Sequence, residues 1–138
     1  MSTVSRETAE ALIGQQNATF AALYGSGCID EMAQQFYTSD AIVVPADQPM
    51  VRSARDIRAL FRSYHAAFES VEIQPAVTVA DEAAGFAFQL ADATLFERST
   101  RNPVACKYIT VWRRESDGWR CVVDFFGFGQ LGTGAQAR

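Results

Sequence analysis

Hydrophobic periodicity changes once along this chain, and that change limits the fold more than any other feature. Up to Phe68 the apolar residues recur at helical spacing; from Val71 onward they recur at every second position. Helices gathered first, with alternating strands after them, imply an α+β architecture rather than a βαβ repeat. Ala9, Leu12, Ile13, Phe20, Leu23 and Tyr24 form one helical stripe, stopped by Gly25-Ser26-Gly27. Ile29, Met32, Ala33, Phe36 and Tyr37 form a second, with Asp30 and Glu31 in the first turn, where the helix dipole favours acids. Ala41 to Val44 reads as a short buried strand ended by Pro45. Ser53-x-x-Asp56 resembles a capping box and opens a third helix carrying Ile57, Leu60, Phe61, Tyr64 and Phe68. The expected fold is three N-terminal helices packed on the concave face of a curved, mainly antiparallel sheet.

The strands follow in order. Val71, Ile73, Val77 and Val79 alternate with polar residues, and Pro75 among them predicts an edge strand or a bulge. A long strand follows with Phe86, Phe88, Leu90, Asp92, Thr94 and Phe96 on one face and Gly85, Ala87, Gln89, Ala91 and Ala93 on the other. Val104 to Arg114 and Trp119 to Phe128 complete the sheet, joined by Ser116-Asp117-Gly118. A chain of 138 residues is expected to form one domain, with its core over about 6–128 and a tail from Gly129 that frays.

Composition removes several functions. With 12 basic and 16 acidic residues and no basic cluster, the chain lacks the electrostatic footprint of a nucleic-acid binder. No apolar run approaches the roughly 20 residues of a membrane span. Arg6, Glu7 and Glu10 stand where a signal peptide needs an apolar segment. Cys28, Cys106 and Cys121 form no CxxC pair and read as reduced thiols of a cytoplasmic protein. His65 is the single histidine, which argues against a His-based metal site. The Gly-rich stretch Gly127 to Gly132 precedes no helix, so no dinucleotide cofactor is expected.

Register arithmetic locates the candidate chemistry. A three-residue Ser116-Asp117-Gly118 loop makes paired residue numbers sum to 234, so Thr110 faces Asp124 and Trp112 faces Val122. A two-residue Asp117-Gly118 loop would swap the faces. The three-residue form is preferred because it keeps Tyr108, Trp112, Val122, Phe126 and Phe128 on one aromatic side. Under that parity Cys106 and Cys121 point to opposite faces. A loop centred near Thr100, if its register is also even, sets Asp92 beside Tyr108 or Thr110. One face would carry Phe88, Leu90, Asp92, Tyr108, Thr110, Trp112, Val122, Asp124 and Phe126. A carboxylate buried among large apolar groups is kept by hydrogen bonds or by a task. Asp124 interrupts the apolar run Val122 to Phe126, where packing alone would choose a hydrophobe. Asp92 and Asp124 would stand about 9 to 10 Å apart, flanking a ligand rather than sharing a proton. Phe20, Tyr24, Phe61, Tyr64 and His65 are the helical residues expected to close such a pocket. The outer face would present Ile109, Val111, Val123 and Phe125 and must meet something, most simply a second copy.

The run Phe36-Tyr37-Thr38-Ser39-Asp40-Ala41-Ile42-Val43 resembles the second-helix-to-first-strand junction of the nuclear-transport-factor-2-like superfamily. Lys107 to Arg114, followed by Asp117-Gly118-Trp119-Arg120 and Val123-Asp124, is similar to the terminal hairpin of its SnoaL-like members. The resemblance spans about residues 6–128 and implies a cone-shaped cavity. Ketosteroid isomerases of this group place a catalytic Asp where this chain has Pro45, with Asp47 two residues on. Their helical Tyr and strand acid fall near Thr19 and at Thr110. The Arg of the epoxide hydrolases is matched by Leu90. An acid/base Asp in the last strand of the cyclases is matched by Asp124.

The expected activity is therefore cofactor-independent proton transfer, of isomerase, cyclase or dehydratase type, on a polyketide-, terpenoid- or steroid-like molecule. Asp124 would be the base or acid, Asp92 the complementary carboxyl and Tyr108 the hydrogen-bond donor. The alternative is a non-catalytic ligand-binding or oligomerisation module of the same fold.

Overall fold

The computed structural model describes residues 8–132. The stretch around Arg6 and Glu7, the start of the expected core and residues 133–138 of the expected tail lie outside the described residues. The elements run α1 (Ala9–Gly25), α2 (Ile29–Phe36), β1 (Tyr37–Pro45), α3 (Ala54–Ala67), β2 (Phe68–Asp81), β3 (Phe86–Glu97), β4 (Pro103–Glu115) and β5 (Gly118–Phe128). The strands form one curved, unclosed sheet in the order β1-β5-β4-β3-β2. β1 and β5 pair parallel, and the other neighbours pair antiparallel.

Local chemistry sets the boundaries. Thr8 Oγ1 accepts from the Ala11 amide at 3.1 Å and starts α1. Ser53 Oγ accepts from the Asp56 amide at 3.0 Å and starts α3; both are the N-cap bond that satisfies an orphan helix donor. Gly27, at φ 77°, takes the left-handed turn that separates α1 from α2. Pro75 meets both of its allowed settings at once: β2 is an edge strand, and its pairing with β3 slips between Pro75 and Val77.

Two registers differ from the expectation. In the β3–β4 hairpin the last pair is Phe96 with Pro103, so paired numbers sum to 199: Ala87 faces Trp112, Gln89 faces Thr110 and Ala91 faces Tyr108. The turn is centred half a residue earlier than Thr100, and that half residue exchanges the two faces of β3. The alanine face is consequently the one packed toward the helices, with Ala87, Gln89, Ala91 and Ala93 all buried. Small side chains are required there. They leave room for Trp112, which is fully buried with its ring edge-on to Phe36 of α2 at 5.0 Å. Asn17 of α1 donates to Gln89 Oε1 at 2.8 Å, and Gln89 donates to Thr78 Oγ1 at 2.9 Å, pinning helix to sheet through a buried amide.

The β4–β5 hairpin keeps the sum of 234 from Cys106–Phe128 to Val111–Val123, then changes. Nearer the turn Trp112 pairs with Cys121 and Glu115 with Gly118, so the turn itself is the two residues Ser116 and Asp117. Val122 is the extra residue, a β-bulge, and is not opposite Trp112. Because of it, Cys121 and Asp124 both face the core although their numbers differ in parity. Cys106 and Cys121 therefore share a side of the sheet rather than opposing faces, and all three cysteines are free.

Two amides at the start of the tail have partners. Gly129 donates to the Ala105 carbonyl at 3.0 Å, and Leu131 donates to Asp92 Oδ1 at 2.8 Å.

Candidate functional site

Between the helices and the buried sheet face lies a cavity lined almost wholly by apolar and aromatic side chains, with an empty volume of ≈ 780 Å³ including its opening to solvent. Phe20 and Tyr24 come from α1, Phe36 from α2, Phe61 and Tyr64 from α3. The sheet contributes Val71, Ile73, Ala93, Leu95, Cys106, Tyr108, Thr110, Asp124, Phe126, Gly127 and Phe128, and the loop after β1 contributes Asp47. Asp47 and Phe128 are exposed, whereas Thr110 and Asp124 are buried. The cavity thus has an open end and a closed one.

Asp124 defines the closed end. It sits on β5 between Val43 of β1 and Thr110 of β4, and only 6% of it is exposed. Tyr37, the first residue of β1, donates its hydroxyl to Asp124 Oδ2 at 2.5 Å. Burial raises the Asp124 carboxyl from its ordinary 3.8 to about 6, and the Tyr37 bond pulls it part of the way back. Burial and the neighbouring Asp124 hold the Tyr37 phenol well above its usual range, so it stays a donor at every physiological pH. Neutral water near such a carboxyl finds both protonation states populated, the condition for moving a proton either way.

Tyr108 adds an unused donor. Its hydroxyl is buried and has no hydrogen-bond partner within the protein, and burial next to Asp124 pushes its pKa up. A buried hydroxyl without a partner is costly unless something in the cavity completes it. The other hydroxyls of the lining each have a partner within the protein. Tyr24 donates to the Phe68 carbonyl at 2.7 Å, and Thr110 Oγ1 accepts from Trp112 Nε1 at 2.8 Å. Tyr64 accepts from Gln48 Nε2 at 3.3 Å, and burial, then Asp47, push its phenol up to about 12. Cys106 is pushed up to about 11 by burial and by Asp124, so it is a neutral thiol rather than a nucleophile. Among the described residues no group of His, Cys, Asp or Glu is arranged to hold a metal ion.

Several residues expected in this pocket lie elsewhere. Asp92, Phe88 and Leu90 are on the opposite face of the sheet, because the β3 register is odd. Asp92 pairs across to Lys107 and accepts from Leu131, and Phe88 is 40% exposed. Trp112 belongs to the packed core beside the cavity and does not line it. Val122 is displaced by its bulge. His65 stands outside, edge-on to Tyr24 at 5.1 Å, with its carbonyl accepting from Arg98 at 2.7 Å. The cavity brings together Asp124, Tyr108, Thr110, Phe126, Phe20, Tyr24, Phe61 and Tyr64.

Sequence reasoning missed Tyr37 as the partner of Asp124. It read as the last apolar residue of the second helix, and the parallel β1–β5 pairing that brings it across has no turn to count from. Asp47, not Asp92, supplies the second carboxyl of the cavity; its place two residues past the end of the first strand was the available signal.

Sequence comparison finds no matching family model and no similar curated protein. Structure comparison is decisive. A nuclear-transport-factor-2-like protein with a cystatin-like fold from Novosphingobium aromaticivorans matches with a TM-score of 0.76 at 17% identity, over 94% of this chain and 87% of that one. The chain has the nuclear-transport-factor-2-like fold. A ketosteroid isomerase-like protein from Erwinia carotovora atroseptica matches this fold with a TM-score of 0.72 at 15% identity, over 87% of this chain and 95% of that one. A candidate calcium/calmodulin-dependent protein kinase type II association domain from Thiobacillus denitrificans matches at 0.68 and 21%, over 83% and 93%. Proteins described in such different terms share the nuclear-transport-factor-2-like fold, so function has to be argued from the site. No helix among the described residues is long and apolar enough to cross a membrane.

Proposed function

We propose that this chain is a cofactor-independent enzyme that moves a proton on a mostly apolar small molecule, with isomerisation, cyclisation or elimination as the outcome. The substrate occupies the cavity on the concave side of the sheet, Asp124 accepts or returns the proton, and Tyr108 donates a hydrogen bond to the oxygen on which charge develops. Tyr37 does not touch the substrate and positions Asp124. The carrying observation is a carboxyl buried on the wall of an apolar cavity with a phenol as its partner. A packing role calls for no acid there, and proton transfer does. Titration of the Asp124 carboxyl carbon by NMR is expected to give a midpoint near 6. An ordinary carboxylate midpoint, near 4, would remove Asp124 as the proton carrier and favour passive binding.

A second observation supports assembly. Two rows of apolar side chains cross the outer sheet face in register: Val77, Leu90, Ile109 and Phe125, then Val79, Phe88, Val111 and Val123. Ile109 is 44% and Phe125 48% exposed, directly opposite each other. Continuous apolar surface of this kind marks a protein interface. Two copies associate through it, in the cytoplasm, where the three free thiols stay reduced. Sedimentation at micromolar concentration is expected to show a dimer, and Ile109→Asp is expected to give a folded monomer. A wild-type monomer refutes the association.

A further inference from the structure

The charge pattern of the cavity narrows its occupant, on the reading that the cavity is the substrate site. Among the described residues seventeen line the cavity: eight are aromatic, two are acids, and none is Lys, Arg or His. Arg98 acts electrostatically on Tyr24, but it donates to the His65 carbonyl and lies outside the lining. At the open end Asp47 acts on Tyr64, which packs against Phe126 and the more deeply buried Phe61. Phe61 and Tyr64 have centroids 5.9 Å apart, Tyr64 and Phe126 5.7 Å, and Phe61 and Phe126 6.3 Å. Ala46, beside Asp47, is tied to β5 by its amide bond to the Phe126 carbonyl at 2.8 Å, which fixes this loop against the rings.

Each ligand class meets these walls differently. A carboxylate or phosphate would be desolvated among ring faces and acids with no counter-charge. A neutral molecule gains apolar burial and at most a single hydrogen bond to Asp47, with no charge attraction. A cation gains the negative faces of the rings and the carboxylate together, in a site partly shielded from water.

We infer that the cavity selects apolar amines, taking the ammonium group between Asp47 and the Tyr64 and Phe126 rings toward its open end and the apolar body toward Asp124. The choice of amine over neutral or acidic analogues is a property of the lining and is independent of whether Asp124 transfers a proton.

Calorimetric titration of the full chain at neutral pH with naphthylmethylammonium, naphthylmethanol and naphthoate tests this, since the three probes share one ring system and differ in charge. The ammonium is expected to bind on the order of tenfold more tightly than the alcohol, and the carboxylate most weakly. Asp47→Asn, a change at an exposed loop position, is expected to shrink the ammonium preference several-fold while leaving the alcohol unchanged. An alcohol or carboxylate that binds as tightly as the ammonium overturns the inference and leaves the proton-transfer reading standing. Failure of all three to bind overturns both.

Discussion

Asp124→Asn is expected to abolish most turnover and to stabilise the fold at the same time. Removing a positioned acid or base costs about 10²- to 10⁴-fold in rate. The stability change follows from linkage. The Asp124 carboxyl is raised from 3.8 to about 6 on folding, so the native state binds its proton more readily than the unfolded chain does. That contribution is fully present below the unfolded value and is lost as pH rises through about 6. At neutral pH the buried carboxylate is therefore a burden of about 1–3 kcal/mol. Asparagine is nearly the same shape, keeps an oxygen for the Tyr37 hydroxyl and carries no charge. Denaturant melts of the two proteins across a pH series should show the variant more stable above pH 6 and the gap closing on the acid side. A wild type that is the more stable at neutral pH would mean that Asp124 is well solvated or better partnered than its surroundings indicate.

Tyr37→Phe is expected to act in the opposite sense on the same group. The Tyr37 hydroxyl favours ionised Asp124, so its loss raises the carboxyl further and moves the acid limb of kcat/KM to higher pH. The fold loses a charge-assisted bond at a buried site, about 1.5–3 kcal/mol at neutral pH. A merely structural tyrosine would change stability without moving the pH profile. Combining the two substitutions isolates the bond. Their effects on stability should be strongly non-additive at neutral pH and closer to additive in acid, where Asp124 is protonated. Additive effects at neutral pH would show that the two side chains do not interact.

How far the sequence carried depended on how each contact is encoded. The change of period at Val71 gives the element order, and Pro75 gives both the edge position and the irregularity of β2, because those are local constraints on the backbone. The pairing of Asp124 with Thr110 was reached by counting from a three-residue turn; the turn has two residues, and the extra residue Val122 restores the same sum, so two departures cancelled. The same counting placed Asp92, Phe88 and Leu90 on the wrong side, because a loop centre half a residue away inverts a whole strand. The alanines of β3 held the correcting signal: a face of Ala87, Ala91 and Ala93 fits beneath helices and a tryptophan, whereas a face of phenylalanines does not. Tyr37 was out of reach for a different reason. It meets Asp124 across a parallel pair separated by 87 residues of chain, and no local pattern records which strands become neighbours.

The surplus residue in β5 has a consequence for how this hairpin can vary. Val122 puts the tip half of the ladder one step out of phase with the half that carries the acid. Trp119 and Cys121 keep their places in the packed interior on one count, and Asp124 and Phe126 face the void on another. The strand tolerates this offset only because the kink sits between the two groups. A strand that kept every residue but paired regularly, without the bulge, would have to rotate one set outward, exposing either the tryptophan or the carboxyl. The slack at this point therefore ties the orientation of the acid to the packing of the hairpin tip.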